Sequence, residues 1–100
     1  MILYRAMCDE ERSKINVNYP LSWNSKNKWF GTKEFVLSRV RDGSFGHSKF
    51  VADKYLHVVE YEVVSGFEHF FNCGRNEWML NVRKAPLVKI KFLKELQNDC

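Results

Sequence analysis

Apolar and polar residues alternate with the period of a β-strand in several parts of this 100-residue chain. The clearest case is residues 56–64, where apolar side chains at positions 59, 61 and 63 share one face and Glu60 and Glu62 share the other. Further strands are predicted at Ile2–Met7, at residues 29–30, at residues 77–83 and, half-exposed, at residues 88–92.

Two segments carry helix signals instead. Residues 8–15 place three acids in a first helical turn, where they complement the helix dipole. Thr32 is a suitable N-cap for a helix over residues 33–41, which presents its apolar positions inward and stops before a glycine. Residues 16–28, 43–54 and 72–74 are predicted as loops and turns.

These elements predict an α+β fold, a compact split antiparallel β-sheet with two short helices. We expect the strands that begin at Ile2, Leu56, Glu77 and Val88 to form the centre of the sheet. The length predicts a single domain over residues 1–100, and the hydrophobic content of 45% with 15% aromatics indicates an ordered core. No run is long and apolar enough to cross a bilayer, and the opening residues lack the pattern of a secretory signal, so we expect a soluble, cytoplasmic protein without a membrane partner.

The net charge of +4 is concentrated in two stretches, residues 26–49 and 83–94. A nucleic-acid partner would contact them through four basic side chains, Arg39, Arg41, Lys89 and Lys91. Most such runs are solvated faces, and the chain carries no zinc-finger, helix-turn-helix or RNP pattern. Three widely spaced cysteines, Cys8, Cys73 and Cys100, indicate reduced thiols and no metal site.

Arg5 lies in the middle of the first apolar run and shares a strand face with Leu3 and Met7. A guanidinium on an apolar face is costly unless an anion meets it. Glu77 opens a later strand, so the anion opposite Arg5 could be that carboxylate, a ligand phosphate, or both in turn. The pair could equally be a buried ion pair between two strands.

Several short motifs, in order along nearly the whole chain, resemble a small ADP-ribosyltransferase-like domain. They are Leu-Tyr-Arg in the first strand, a short acidic helix, Phe-Gly-Thr before the second helix, a Val/Glu-rich strand, and Asn-Glu-Trp-Met-Leu before a basic last strand. By this resemblance Arg5, Gly31 and Thr32 would bind NAD as a substrate. Glu77 would be the catalytic glutamate of a Glu/Gln-x-Glu motif, stabilising an oxocarbenium-like state by its charge.

Two positions depart from that family pattern. Arg75 stands where the motif has its first Glu or Gln, and Gly31 replaces the first serine of a Ser-Thr-Ser strand. The resemblance therefore implies ADP-ribosyl transfer to a non-arginine acceptor, either a protein or a nucleic acid. The alternative function is a non-catalytic protein-binding module on the same scaffold, of the compact kind that phages and mobile elements often carry to bind or block a host protein. On the second view Thr32 is simply a helix cap.

Overall fold

The structure, a computed structural model, describes residues 1–22, 27–42 and 57–96. The predicted α+β class is confirmed, since these residues form one antiparallel sheet and two helices. The predicted loop over residues 43–54 lies outside the described residues. In chain order the elements are β1 (Ile2–Met7), α1 (Asp9–Ser13), β2 (Lys28–Gly31), α2 (Lys33–Asp42), β3 (His57–Ser65), β4 (Phe71–Gly74), β5 (Glu77–Leu80) and β6 (Lys89–Leu96).

The six strands lie in the order β4-β5-β2-β1-β3-β6, and all described neighbours are antiparallel. β1 and β2 are paired at a single position, Tyr4 with Gly31. The six strands therefore form one sheet, whereas a split sheet was predicted, and its pairing is weakest between β1 and β2. The prediction that the strand from Val88 is central was wrong. β6 forms an edge, which suits its exposed lysines because an edge strand borders solvent.

One face of the sheet carries the main hydrophobic core. The loop after α1 folds over this face with Ile15 and Leu21, and the Tyr61 hydroxyl ties the loop down by donating to the Pro20 carbonyl oxygen at 2.7 Å. The predicted apolar face of the third strand is confirmed, because Val59, Tyr61 and Val63 lie in this core. Buried core residues from the strands are Leu3, Met7, Phe30, Val59, Tyr61, Val63 and Leu80.

Helix α2 packs on the opposite face, where Val36 contacts the buried Ala6 and Val58. The predicted inward positions of this helix are confirmed, since its apolar residues pack there. Gly31 allows the close approach. A Cβ at that position would lie 2.8 Å from Cδ1 of Phe35 and 2.9 Å from the carbonyl oxygen of Asn76.

Two predicted boundaries were wrong in the second half of the chain. Residues 72–74, expected as a turn, belong to β4, and the chain reverses at positions 75–76. The predicted strand over residues 77–83 ends at Leu80, because Asn81 starts a turn. Its side-chain oxygen accepts from the backbone N–H of Arg83 at 2.8 Å, and its carbonyl oxygen accepts from Lys84 at 2.9 Å.

Candidate functional site

The Arg5 side chain is buried on the core face, and all three of its guanidinium nitrogens donate hydrogen bonds to nearby residues. Its Nε and Nη2 donate to the two carboxylate oxygens of Glu11 at 2.8 and 2.7 Å, and Nη1 donates to the carbonyl oxygen of Trp29 at 3.1 Å. Trp29 lies in β2, two residues before Gly31, which pairs with Tyr4 of β1. The predicted anion opposite Arg5 is therefore present, but it is Glu11 of α1.

Glu77 lies on the other face of the sheet, so the expectation that Arg5 and Glu77 approach across a cleft was wrong. In antiparallel pairing, residues directly opposite share a face, and Glu77 is opposite Gly31, which is opposite Tyr4. Neighbours along a strand alternate, so Arg5 points away from that face. Among the described residues Glu77 makes no ion pair, and it is half-buried.

Gly31 and Thr32 lie where β2 passes into α2. The predicted cap position is confirmed, because α2 begins at Lys33 and the Thr32 carbonyl oxygen accepts from Val36 N–H at 3.0 Å. The Thr32 N–H donates to the carbonyl oxygen of Asn76 at 3.1 Å. Gly31 is buried beneath Phe35, so the space above this glycine is filled by the protein itself. Both residues thus perform structural tasks in the described fold.

A row of three large apolar side chains, two of them exposed, crosses three strands on the α2 face. Phe30 lies in the core, so Trp29 points to the opposite face, and the pairing aligns Trp29 with Met79 and Met79 with Phe71. Trp29 is 45% exposed and Phe71 is 64% exposed. Sequence reasoning singled out Trp29 as an aromatic surface but missed Met79 and Phe71, because their alignment depends on strand pairing between separate segments.

A charged group borders this apolar row, which we define as Trp29, Met79 and Phe71. Glu77 precedes Met79 by two residues on β5 and lies between Gly31 and Gly74. The space above Gly31 is filled by Phe35, whereas nothing lies within 4 Å of a Cβ built on Gly74. The row is thus apolar and has the Glu77 carboxylate at its border.

The described parts of the predicted basic patches are weaker than the sequence suggests, and Lys26 and Lys49 lie outside the described residues. Lys28 is buried, so it adds nothing to a surface patch. On β6, Lys91 lies directly across from Glu62 and Lys94 directly across from Glu60, both of β3. A carboxylate beside each lysine reduces the attraction for phosphate. This pairing of lysines with glutamates is not evident from the sequence, because the paired residues are about thirty positions apart.

A charged network joins α1 to the far end of the sheet. The His57 ring bonds through Nδ1 to Glu95 at 2.8 Å and through Nε2 to Asp9, and Arg12 Nε donates to Glu95 at 2.6 Å. The hydrogen bond to Glu95 and then that to Asp9 raise the pKa of His57 against the effect of burial. Although burial opposes it, the bonds from His57 and Arg12 hold the pKa of Glu95 below its usual value.

Residues 1–22, 27–42 and 57–96 contain no cluster of three or more potential metal ligands, and Cys8 and Cys73 are free thiols. Of the two helices described, neither has the length and apolar character to span a bilayer. Comparison of the chain with protein-family models, curated proteins and solved structures finds no match. The resemblance to ADP-ribosyltransferase-like domains therefore rests on the order of the sequence motifs.

Proposed function

We propose that this chain is a non-catalytic protein-binding module and that its contact surface is the apolar row on the α2 face. One observation carries the proposal, namely that Trp29, Met79 and Phe71 line up across three strands, with Trp29 and Phe71 exposed and Met79 half-buried between them. Isolated exposed apolar residues are ordinary on soluble proteins, but an aligned group of this size is typical of a contact surface.

The chemistry of the row suits a protein partner. Aromatic residues and methionine are enriched at the centres of protein interfaces, while charged residues lie at the rim. Glu77 occupies that rim position here. A partner with an apolar centre and a basic group placed to meet Glu77 would match this surface. Truncating a central tryptophan in such an interface costs roughly 2 kcal/mol or more of binding free energy.

ADP-ribosyl transfer stays a prediction, and the geometry gives it less support. The predicted site needs Arg5 and Glu77 to share one dinucleotide, yet they lie on opposite faces and Arg5 is bound to Glu11. A calorimetric titration with the oxidised dinucleotide tests it directly. Dinucleotide binding that survives in Glu77→Gln, together with labelling of a lysate component that Glu77→Gln loses, would favour the enzyme over the binding module.

The binding module is tested by immobilising wild-type protein and two variants and comparing what each retains from a lysate. Trp29→Ser removes the largest side chain of the row, and Val17→Ser removes an exposed apolar side chain from the loop after α1. We expect one set of proteins retained by wild type and Val17→Ser and lost from Trp29→Ser, with unchanged circular dichroism. Equal retention by all three proteins would contradict the proposal.

A further inference from the structure

The two edges of the sheet differ in charge. β6 carries Lys89, Lys91, Lys94 and Glu95. β4 carries no charged side chain, and all four of its residues are exposed. Charges on an edge strand oppose the addition of another strand, whereas an uncharged, exposed edge permits it. The β4 edge is therefore open to a further strand.

Charges at the two ends of β4 suit a second copy of the same chain. Glu68 is exposed in the 3₁₀ turn that leads into β4, and Arg75 is exposed directly after the strand. If two β4 strands pair antiparallel about a twofold axis, the start of each strand lies beside the end of the other. Glu68 of one copy then lies near Arg75 of the second copy, and symmetry provides this match twice.

The side chains of β4 also suit this pairing. β4 has one irregularity in its pairing with β5, between Asn72 and Gly74. Because of this extra residue, Phe71 and Gly74 face the same side of the sheet, since their partners Met79 and Glu77 are two residues apart on β5. Antiparallel pairing centred between Asn72 and Cys73 places Phe71 of one copy opposite Gly74 of the other. Nothing lies within 4 Å of a Cβ built on Gly74, so there is space for the aromatic ring. An aromatic side chain that covers a glycine across two strands stabilises the pair.

We propose that two copies of this chain associate through their β4 strands, forming one continuous antiparallel sheet. A four-residue strand buries little area, below about 1,000 Å² in total, so the dimer is weak and depends on concentration. This inference goes beyond the proposed function. Trp29 lies on β2, two strands from the edge, and stays exposed in the dimer.

Sedimentation velocity over roughly 10 μM to 1 mM protein tests the proposal, a range suited to weak association. A reducing buffer keeps the exposed Cys73 from forming a disulfide. The wild type should shift from monomer toward dimer as concentration rises. Arg75→Glu should weaken the dimer by about tenfold, since the altered ion pair occurs twice. The double variant Glu68→Arg with Arg75→Glu should restore association, because it exchanges the two charges without changing their match.

Two controls separate the β4 edge from other surfaces. Leu93→Lys changes an exposed side chain on the β6 edge, and Trp29→Ser changes the apolar row. Both should dimerise like wild type. A wild type that stays monomeric throughout would overturn the second copy as occupant and leave the edge to a strand of another protein. A double variant that fails to recover would overturn the antiparallel arrangement. Neither result bears on the lysate comparison with Trp29→Ser, so the two proposals can fail separately.

Discussion

Arg5 and Glu11 form a two-point ion pair that joins β1 to α1, with nitrogen-to-oxygen distances of 2.8 and 2.7 Å. Their side chains are only 9% and 10% exposed. Helix α1 has five residues and buries none of them, so apolar packing holds it only weakly. Ionic contacts from Asp9, Glu11 and Arg12 hold it against the sheet instead.

Glu11→Ala should therefore destabilise the protein by about 3 to 5 kcal/mol, because it leaves the buried Arg5 guanidinium without its counter-charge. Urea unfolding followed by circular dichroism measures the loss. Glu10→Ala is the matched control, since Glu10 pairs with Lys14 on the solvent side of the same helix and should cost less than about 0.5 kcal/mol. Equal losses in the two variants would show that the Arg5 pair contributes no more than a surface pair.

Gly31→Ala should destabilise the fold by about 1 to 3 kcal/mol, because the added methyl group meets Phe35, Val36 and a backbone oxygen at 3.0 Å or less. Relief requires α2 to move away from the sheet. Gly74→Ala is the matched control, since nothing lies within 4 Å of the corresponding atom. Thermal unfolding of both variants at low concentration should separate them clearly. A stable Gly31→Ala protein would show that α2 is not packed closely on β2.

The sequence predicted the first four elements and the third strand well, and for a physical reason. Ile2–Met7 and the third strand each bury one face, so alternation marks them directly, and Thr32 marks the start of α2. β4 was missed because its residues are all exposed and include Asn72 and Gly74, which usually indicate a turn. In such a strand buried and exposed positions do not alternate, so the sequence has no period-2 pattern that would indicate it.

The candidate site was harder to predict, because it depends on which strands are neighbours. The need for an anion opposite Arg5 could be deduced from its apolar neighbours, but both Glu11 and Glu77 satisfied that need in the sequence. Glu11 is the partner because α1 follows β1 directly and folds back over the core face. Glu77 reaches the sheet from the opposite side of β2 with its side chain on the other face.

Tyr4 provides a spectroscopic test of the α2 face. Burial and a 2.8 Å hydrogen bond to Glu60 raise the pKa of its hydroxyl from 10.0 to about 12. Absorbance titration of the ionised phenol should show a transition near this pH that is missing in Tyr4→Phe. Glu60→Gln should lower the midpoint only part of the way, because burial is the larger cause. A full return to the ordinary value would mean that burial plays no part.

The pH dependence of stability should come largely from the network around His57. Its pKa is raised above 6.5, so the folded state binds the proton more tightly than the unfolded chain does. Protonated His57 stabilises the folded state fully at pH values below its pKa in the unfolded chain. This stabilisation is lost as pH rises through the pKa of His57 in the folded state. Glu95 acts oppositely, since its lowered pKa gives stability that is present above about pH 4.5 and is lost on acidification.

Wild-type protein should therefore be most stable between these two limits and should lose stability as pH rises above about 6.5 and through the raised pKa of His57. His57→Gln should flatten this decline, because glutamine can occupy the site between Asp9 and Glu95 but cannot bind the proton that makes His57 a cation. Glu95→Gln should also reduce the decline, since Glu95 is the largest cause of the shift, while Asp9→Asn should do so less. Urea midpoints measured at half-unit pH steps provide the comparison. A decline that persists unchanged in His57→Gln would assign it to a different group.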